Sequence, residues 1–548
     1  MASRRRMWTA MAVAAAFALV ASACGRSAGG NGTAGNISAT KGLVTTTPAG
    51  TGTVPSVTWA VYRDVNSLDP IYAFDYPENT ALSLMCESLL VQAPDGSLHP
   101  GLATLATPTP TKLVFTLKPG VKFWDGHAVT SADVVYSLDR NTDPKLGGFY
   151  PLVFSRVKSI QATSPTQVTI TLKQADYWLQ GELASMPGIV IEKSYAQQQG
   201  KNYGTPSGGI MCTGAYMFKS WKPGVGVTAV ANPHYWNTKV KSPLVKSILL
   251  KGVPDVSSFT SGMLTGGIQG SYTLGLNTLD QLKNSKNVKV FQGPSWATDA
   301  FIVSSFKGVL GNVKVRQALS LALDRQGIIN SVYKGAALMP KWESNPGTFG
   351  YGKSVFDAAY ASAPAMSQNL AKAKKLVQEA GATGKTFTIG TSSQLANIAA
   401  VTGAYQAAAQ AIGLKTTLKS VSAQNYINFF TEASARQGID GFLTVNYGDY
   451  ADPAAMLSTF DIPGGSQNYD NFSDPKLTSL LEQARSTANP DKRAQLMVQA
   501  EKINNQLLPW IPNVQPTNLL LLSKNLTGAT GSFAYMFAPW ANSLGGTG

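Results

Sequence analysis

The chain has 548 residues, 44% hydrophobic and 14% charged, too long for one compact core and enough for roughly two to four domains. Lys and Arg outnumber Asp and Glu by 45 to 30, a formal net charge of +15, but the charge is dispersed, with no run of five like charges and no basic stripe interleaved with aromatics. This pattern excludes nucleic acid as the partner and fits a soluble surface or attraction to an anionic one.

The elements begin with an export signal. Arg4, Arg5 and Arg6 head an uncharged stretch, Met7 to Ala23, which ends in small residues before Cys24. A basic head, an apolar run and a small-residue cut site assign 1–23 to a signal peptide, too short and wrongly flanked for a membrane span. Ala21-Ser22-Ala23-Cys24 resembles the bacterial lipobox, which implies a diacylated Cys24; the alternative is a plain signal with a chance cysteine. Two acyl chains give stable anchoring. The arginine cluster also partly resembles a twin-arginine signal. Residues 24–54 are rich in Gly, Thr, Ser and Ala without apolar period, a tether with an r.m.s. reach of roughly 30 Å. Cys86 and Cys212 remain as an even pair in an oxidising compartment: a disulfide or two buried thiols.

After the tether, SVTWAV reads as a strand, and Asn79 to Leu90 has helical spacing with Leu82, Met85 and Leu89 on one face. Leu113, Phe115 and Leu117 alternate with polar neighbours, Pro119-Gly120 turns the chain, and Val121 and Phe123 continue the alternation, which predicts a hairpin. Thr130 or Ser131 caps the next helix. Strands are expected in TGAYMFKSW and VKSILLKG. Helices then dominate: one with Val315, Leu319, Ala322 and Leu323 in a stripe, one capped by Asp324 and stopped by Gly335, and one running from Ser367 to Gly381. Asp474-Pro475 and Asn489-Pro490 each open another, with proline at the first helical position. The short apolar runs TFTIG, LKTTLKS and GFLTVN lie between, so helices alternate with strands as in an α/β lobe.

Motifs for chemistry are few. Gly347 to Ser354 matches the letters of a P-loop, but Pro346 breaks any preceding strand, so the stretch reads as a Gly-rich loop. His99, His127 and His234 lie far apart in sequence, and no CxxC, HExxH or GxSxG spacing occurs. Asp449 and Asp452 offer two carboxylates near Tyr447 and Tyr450. They suit an acid pair, two metal ligands or a loop entering a helix; Gly448 and Pro453 favour the loop, and no DxDxDG spacing supports calcium there.

Several stretches, in order, resemble one family: PDGSLHPGLA, FTLKPGVKFWDGHAVTSADVVYSLDR, CTGAYMFKSWKPG with ANPHYWN, VKVRQALSLALDRQGII, NLAKAKKLVQEAG, and DPKLTSLLEQAR followed by LPWIP. They resemble the extracytoplasmic solute-binding proteins of family 5, the peptide/nickel class of bacterial ABC importers, over about residues 57 to 525. The resemblance implies an α/β, two-lobe periplasmic-binding-protein-like fold of type II with an extra inserted domain. Lobe I is expected at 55–90, 206–300 and 512–540, the inserted domain at 91–205, and lobe II at 301–511. Ligand then sits between lobes that close about a hinge.

Family peptide binders carry an aspartate in a D-x-x-acid-P segment that pairs with the ligand's α-ammonium; here it is Asp449, with Asp452 as helix cap. Tyr447, Tyr450 and Tyr426 are candidates to line the same cleft, with Phe74 and Tyr76 on its opposite wall; the alternative is ordinary aromatic packing. The implied function is a monomeric, lipid-anchored receptor on the outer face of the cytoplasmic membrane. It passes short peptides to a membrane permease and does so without cofactor, metal or bond chemistry. Alternatives are a receptor for a metal chelate, haem or glycoside, or an envelope chaperone or enzyme.

Overall fold

Two large sheets and one small one organise the protein. The computed structural model describes residues 42–240, 242–272, 275–393 and 395–548; the expected signal and Cys24 lie outside them. The first sheet has seven strands in the order Val288–Gly293, Asn518–Ser523, Gly270–Tyr272, Val57–Val61, Ser247–Gly252, Gly226–Ala231 and Tyr216–Lys222. Its central strand Val57–Val61 is parallel to both neighbours and buries four of its five residues, as a strand covered on both faces must. The second sheet has six strands, ordered Ala337–Leu338, Trp510–Pro516, Ala297–Val303, Gly441–Tyr447, Thr386–Thr391 and Lys415–Ser420. The third is a four-stranded antiparallel sheet, ordered Ala103–Thr109, Lys112–Leu117, Gln167–Leu172 and Val157–Ser164. Each sheet has its own apolar core, and a further small core covers the other face of the first sheet around Phe259 and Leu521. Among the described residues no helix is long and apolar enough to cross a membrane.

The chain passes between the two large sheets at neighbouring points. Strand Val288–Gly293 of the first leads through 294–296 to Ala297–Val303 of the second, and Trp510–Pro516 returns through Thr517 to Asn518–Ser523. Gly293 pairs with Asn518, and the Thr517 hydroxyl donates to Gln292 Oε1 at 3.2 Å. The crossings thus lie side by side.

Helix starts follow the capping chemistry closely. Asp324, Asp474 and Asn489 each accept a backbone N–H of the first turn. The helix expected from Ser367 instead starts at Leu370 with Asn369 as cap, whose side chain accepts from the Lys372 N–H at 2.9 Å. The first long helix is Tyr76–Met85, capped by Asp75; Leu89 falls beyond it.

Two expectations are corrected by pairing. Lys112–Leu117 pairs with Ala103–Thr109 and Gln167–Leu172, not with Val121 and Phe123. Those two residues are buried in a separate tight turn, where Phe123 N donates to His127 O and Val129 N to Val121 O. Alternation marks a half-buried strand but does not name its partner. The tether also ends earlier than 54. Val44 N donates to Gln292 O, Thr46 bridges Thr530, and Val54 bridges Val245, because a segment without apolar period still carries backbone groups that a sheet edge can satisfy. Cys86 and Cys212, both buried, are joined as a disulfide with 5.0 Å between Cα atoms.

Candidate functional site

Strand Gly441–Tyr447 of the second sheet ends at the segment 448–453, which turns into helix Ala454–Phe460. Asp452 holds that turn. Its Oδ1 accepts the Ala454 N–H at 2.8 Å and the Tyr351 hydroxyl at 3.1 Å. Gly448 is tight for a plain reason: a Cβ there would stand 2.8 Å from that of Ala455.

Along its length the segment meets residues packed on the seven-stranded sheet and on the four-stranded sheet. The Tyr447 hydroxyl donates to Phe74 O at 2.6 Å, and its ring lies edge-on to Tyr76 at 5.1 Å and against Phe533 at 5.3 Å. Ala451 N donates to Gln92 Oε1 at 2.9 Å. Tyr450 is buried beneath the short helix Leu179–Glu182, so close that a Cβ on Gly181 would stand 2.3 Å from its ring. Nearby, Arg485 reaches the buried Asp176 at 2.6 Å, and Arg156 pairs with Glu482. These contacts tie the segment 156–176 to the helix Pro475–Ser486. Gly181→Val is therefore expected to prise the segments apart at a cost of roughly 1–3 kcal/mol. Small-angle scattering should then show a larger radius of gyration than wild type; an unchanged radius would count against this packing as a closing contact.

Asp449 sits in the middle of this junction. It keeps part of its surface open, yet the protein packed around it pushes its carboxyl up to about 7 by desolvation. Glu182 faces it. Burial first, then the charges of Asp449 and Asp176, hold the Glu182 carboxyl well above its ordinary range, and Arg485 pulls the other way. Glu182 Oε2 is inaccessible and has no hydrogen-bond partner, and among the described residues neither Asp449 nor Glu182 is in an ion pair. The charge of Asp449 thus adds to the cost of ionising Glu182, and the opposing Arg485 is already paired with Asp176. Tyr150, buried and bonded through its hydroxyl to Ala73 O, is also raised by burial and then by both acids.

The other aromatic candidates divide. Tyr447, Tyr450 and Tyr76 surround the junction. Phe74 lies on its rim against Phe149, ring centroids 4.1 Å apart. Tyr426 does not belong to it. Its hydroxyl donates to Leu443 O at 2.8 Å and accepts the Leu443 N–H at 3.2 Å, so both directions are spent inside the core, where it packs on Phe429. Glu182 and Tyr150 are the residues that sequence reasoning missed; LQGELAS and GFYPL carry no motif, and only the folded contact brings them to Asp449.

The P-loop-like stretch is a packing element. Gly347 lies within the 3-10 turn Pro346–Thr348 rather than at the end of a strand, a Cβ there would stand 2.0 Å from Ser295 O, and one on Gly350 would stand 2.5 Å from Ala451 O. The described residues contain one His/Asp/Glu trio with ligand atoms within 4.8 Å of one another, Asp125, His127 and Glu192. The His127 side chain is 73% exposed there, and Nδ1 lies 2.8 Å from Asp125 and 2.9 Å from Glu192.

Comparison with known proteins gives a consistent result. Residues 97–468 match the model of the bacterial extracellular solute-binding proteins, family 5. The glutathione-binding protein GsiB of Escherichia coli strain K12 is 25% identical over 478 residues, covering 86% of this chain and 90% of that protein. Among solved structures, the periplasmic binding protein DppA of Helicobacter pylori in complex with the peptide STSA superposes with a TM-score of 0.77 at 20% identity, covering 91% and 99% of the two chains. The murein tripeptide binding protein MppA of Escherichia coli gives 0.76 at 22%, covering 90% and 99%. NikA of Staphylococcus aureus, in complex with Ni(L-His)2, gives 0.73 at 17%, covering 88% and 98%.

Proposed function

The chain belongs to family 5 of the bacterial extracellular solute-binding proteins, the ligand-binding components of ABC importers rather than enzymes, and on that premise we propose that it captures short peptides by their terminal ammonium. The observation that carries the reading is Asp449. A carboxyl raised to about 7 by burial, beside Glu182 and without a cation of its own, gains most from a ligand that brings a positive charge. An ammonium placed there supplies the counter-charge a buried carboxylate requires. Neighbouring backbone groups can then satisfy the peptide main chain without reading its side chains.

The ligands named for the relatives fit this chemistry. Glutathione, a tetrapeptide and a murein tripeptide each carry a free amine. The two lobes, 55–90 with 206–300 and 512–540 on one side and 301–511 on the other, close around the ligand, with 91–205 contributing Glu182. Closure reports occupancy to the permease as a population shift. Native mass spectrometry of the purified mature protein tests the reading. A co-purified amine-bearing peptide supports it, and a co-purified metal chelate, haem or glycoside rejects it.

Cys24 anchors the monomeric receptor through lipid to the outer face of the cytoplasmic membrane, with the Gly-, Thr- and Ser-rich stretch after it as the tether. Cys24→Ser is expected to release the protein from the membrane fraction, since anchoring depends on the acyl chains. Continued membrane association of that variant would reject the anchor.

A further inference from the structure

The tight turn 121–129 carries a side-chain cluster that shares no residue with the Asp449 junction. Asp125, His127 and Glu192 place one ligand atom each within 4.8 Å of one another. Two of the three distances are short: His127 Nδ1 stands 2.8 Å from Asp125 Oδ2 and 2.9 Å from Glu192 Oε1. The imidazole is open to solvent, whereas the Glu192 side chain is only 5% exposed. An accessible ring nitrogen thus faces a buried carboxylate.

The fold fixes all three residues from behind. Asp125 Oδ1 accepts the His127 N–H at 3.0 Å, an Asx turn that leaves Oδ2 for the ring. Phe123 N donates to His127 O, and Lys122 bridges Ala128, so the turn is stitched across its base. Trp124 N donates to Cys212 O at 3.1 Å and its Nε1 to Gly214 O at 3.1 Å, while Glu192 N donates to Met211 O at 3.4 Å. Turn and acid are therefore pinned to one segment, 211–214, which the Cys86–Cys212 bridge holds in turn. The Ser194 hydroxyl donates to Glu192 Oε1 at 2.9 Å, the kind of outer bond that orients a ligating carboxylate.

Hydrogen bonding alone serves this cluster poorly. A ring nitrogen carries at most one proton, and two carboxylate oxygens compete for the one on Nδ1. Among the described residues Glu192 Oε2 accepts no hydrogen bond, and no lysine or arginine pairs with Asp125 or Glu192. A buried carboxylate depends on a counter-charge. Two carboxylates and a neutral imidazole carry the charge that one dication cancels. The spacing suits such an ion. Bonds of about 2.0–2.2 Å to a tetrahedral metal put its donors roughly 3.3–3.6 Å apart, so the nitrogen has to withdraw by only about half an ångström, which an exposed ring can do.

We propose that Asp125, His127 and Glu192 bind one divalent transition-metal ion of the zinc class. One imidazole nitrogen with two carboxylate oxygens suits that class, whereas calcium and magnesium take oxygen ligands. Water fills the fourth position, because the His127 side of the site faces solvent. The ion cross-links the 121–129 turn to the entry of helix Lys193–Gln199, and it stabilises the protein without taking part in peptide capture.

The test is calorimetric titration of the metal-stripped mature protein with zinc chloride, in parallel with thermal unfolding. The wild type is expected to show one saturable zinc site, undiminished by excess calcium, and a higher Tm with zinc than without, as mass action on the folded state gives. His127→Gln and Asp125→Asn are each expected to weaken zinc binding at least about tenfold, the effect that losing even an outer-shell partner has. In Asp125→Asn the amide oxygen can still accept the His127 N–H, so the turn is kept, and unfolding in EDTA reports that both variants are folded. A variant carrying His99→Gln and His234→Gln leaves the trio untouched and is expected to bind zinc as the wild type does. No saturable site in the wild type would overturn the proposal, as would unchanged zinc affinity in His127→Gln and Asp125→Asn, or loss of the site in the His99→Gln, His234→Gln variant.

Discussion

Asp449→Ala is expected to weaken binding of a short peptide by about 3–5 kcal/mol, the usual loss when one member of a buried ion pair is removed, or roughly two to four orders of magnitude in Kd. Titration calorimetry measures it directly. The remaining Glu182 does not compensate, because it sits on the short helix Leu179–Glu182 with Oε2 inaccessible and unpartnered.

The pH dependence follows from the same residue. In the free protein the Asp449 carboxyl is raised to about 7 by burial, whereas a free peptide amine titrates near 8, about 7.7–8.0 for an α-amino group. Binding needs the ionised acid and the protonated amine. Affinity is therefore highest around neutral pH, falls as pH drops below 7 because Asp449 takes up a proton, and falls again above 8 as the amine loses one. The bound ammonium favours the ionised acid, so binding near pH 7 releases a proton and the apparent heat varies with the buffer. For stability the sign is opposite. A carboxyl whose folded value lies above its unfolded one binds the proton more tightly in the native state, so this group stabilises the free protein most at low pH and loses that contribution as pH rises toward 7.

The second large effect concerns the bridge between Cys86 and Cys212, 126 residues apart. Cys86 ends the helix Tyr76–Met85, and Cys212 lies just before strand Tyr216–Lys222. The bridge closes a long loop that contains the whole four-stranded sheet. Replacing both cysteines by alanine is expected to cost about 4–5 kcal/mol in the chain-entropy account of cross-links, read as a lower urea midpoint. Intact mass before and after reduction and alkylation reports the bond itself. An unchanged midpoint in the double variant would show that the loop is held by its other contacts, such as Gly214 N to Met85 O at 3.0 Å.

Local chemistry was legible in the sequence where it is self-sufficient. Asp474-Pro475 and Asn489-Pro490 mark helix starts because the cap and the proline act within one turn. Asp452 is not the N-cap itself, which is Pro453, but it bonds the first helical N–H, that of Ala454, from one position before it. Partners were not legible. Leu113, Phe115 and Leu117 alternate as a half-buried strand, yet their neighbours in the sheet, Ala103–Thr109 and Gln167–Leu172, come from both sides in sequence. An aromatic side chain suits a core and a cleft equally, which is why Tyr426 resembled Tyr447 until its hydroxyl was found on Leu443. Glu182, Tyr150 and Glu192 look like ordinary residues in one dimension; only long-range folding removes them from water and gives their charges meaning.

The amine anchor is tested most directly by titrating the wild-type protein at neutral pH with one tripeptide in two forms, with a free and with an acetylated N-terminus. Both forms present the same side chains and the same carboxylate, and they differ only in the charge offered to Asp449. The predicted result is tight binding of the free amine and at least about a hundredfold weaker binding of the acetylated form, in line with the loss of a buried ion-pair partner. Equal affinities for the two would contradict the account.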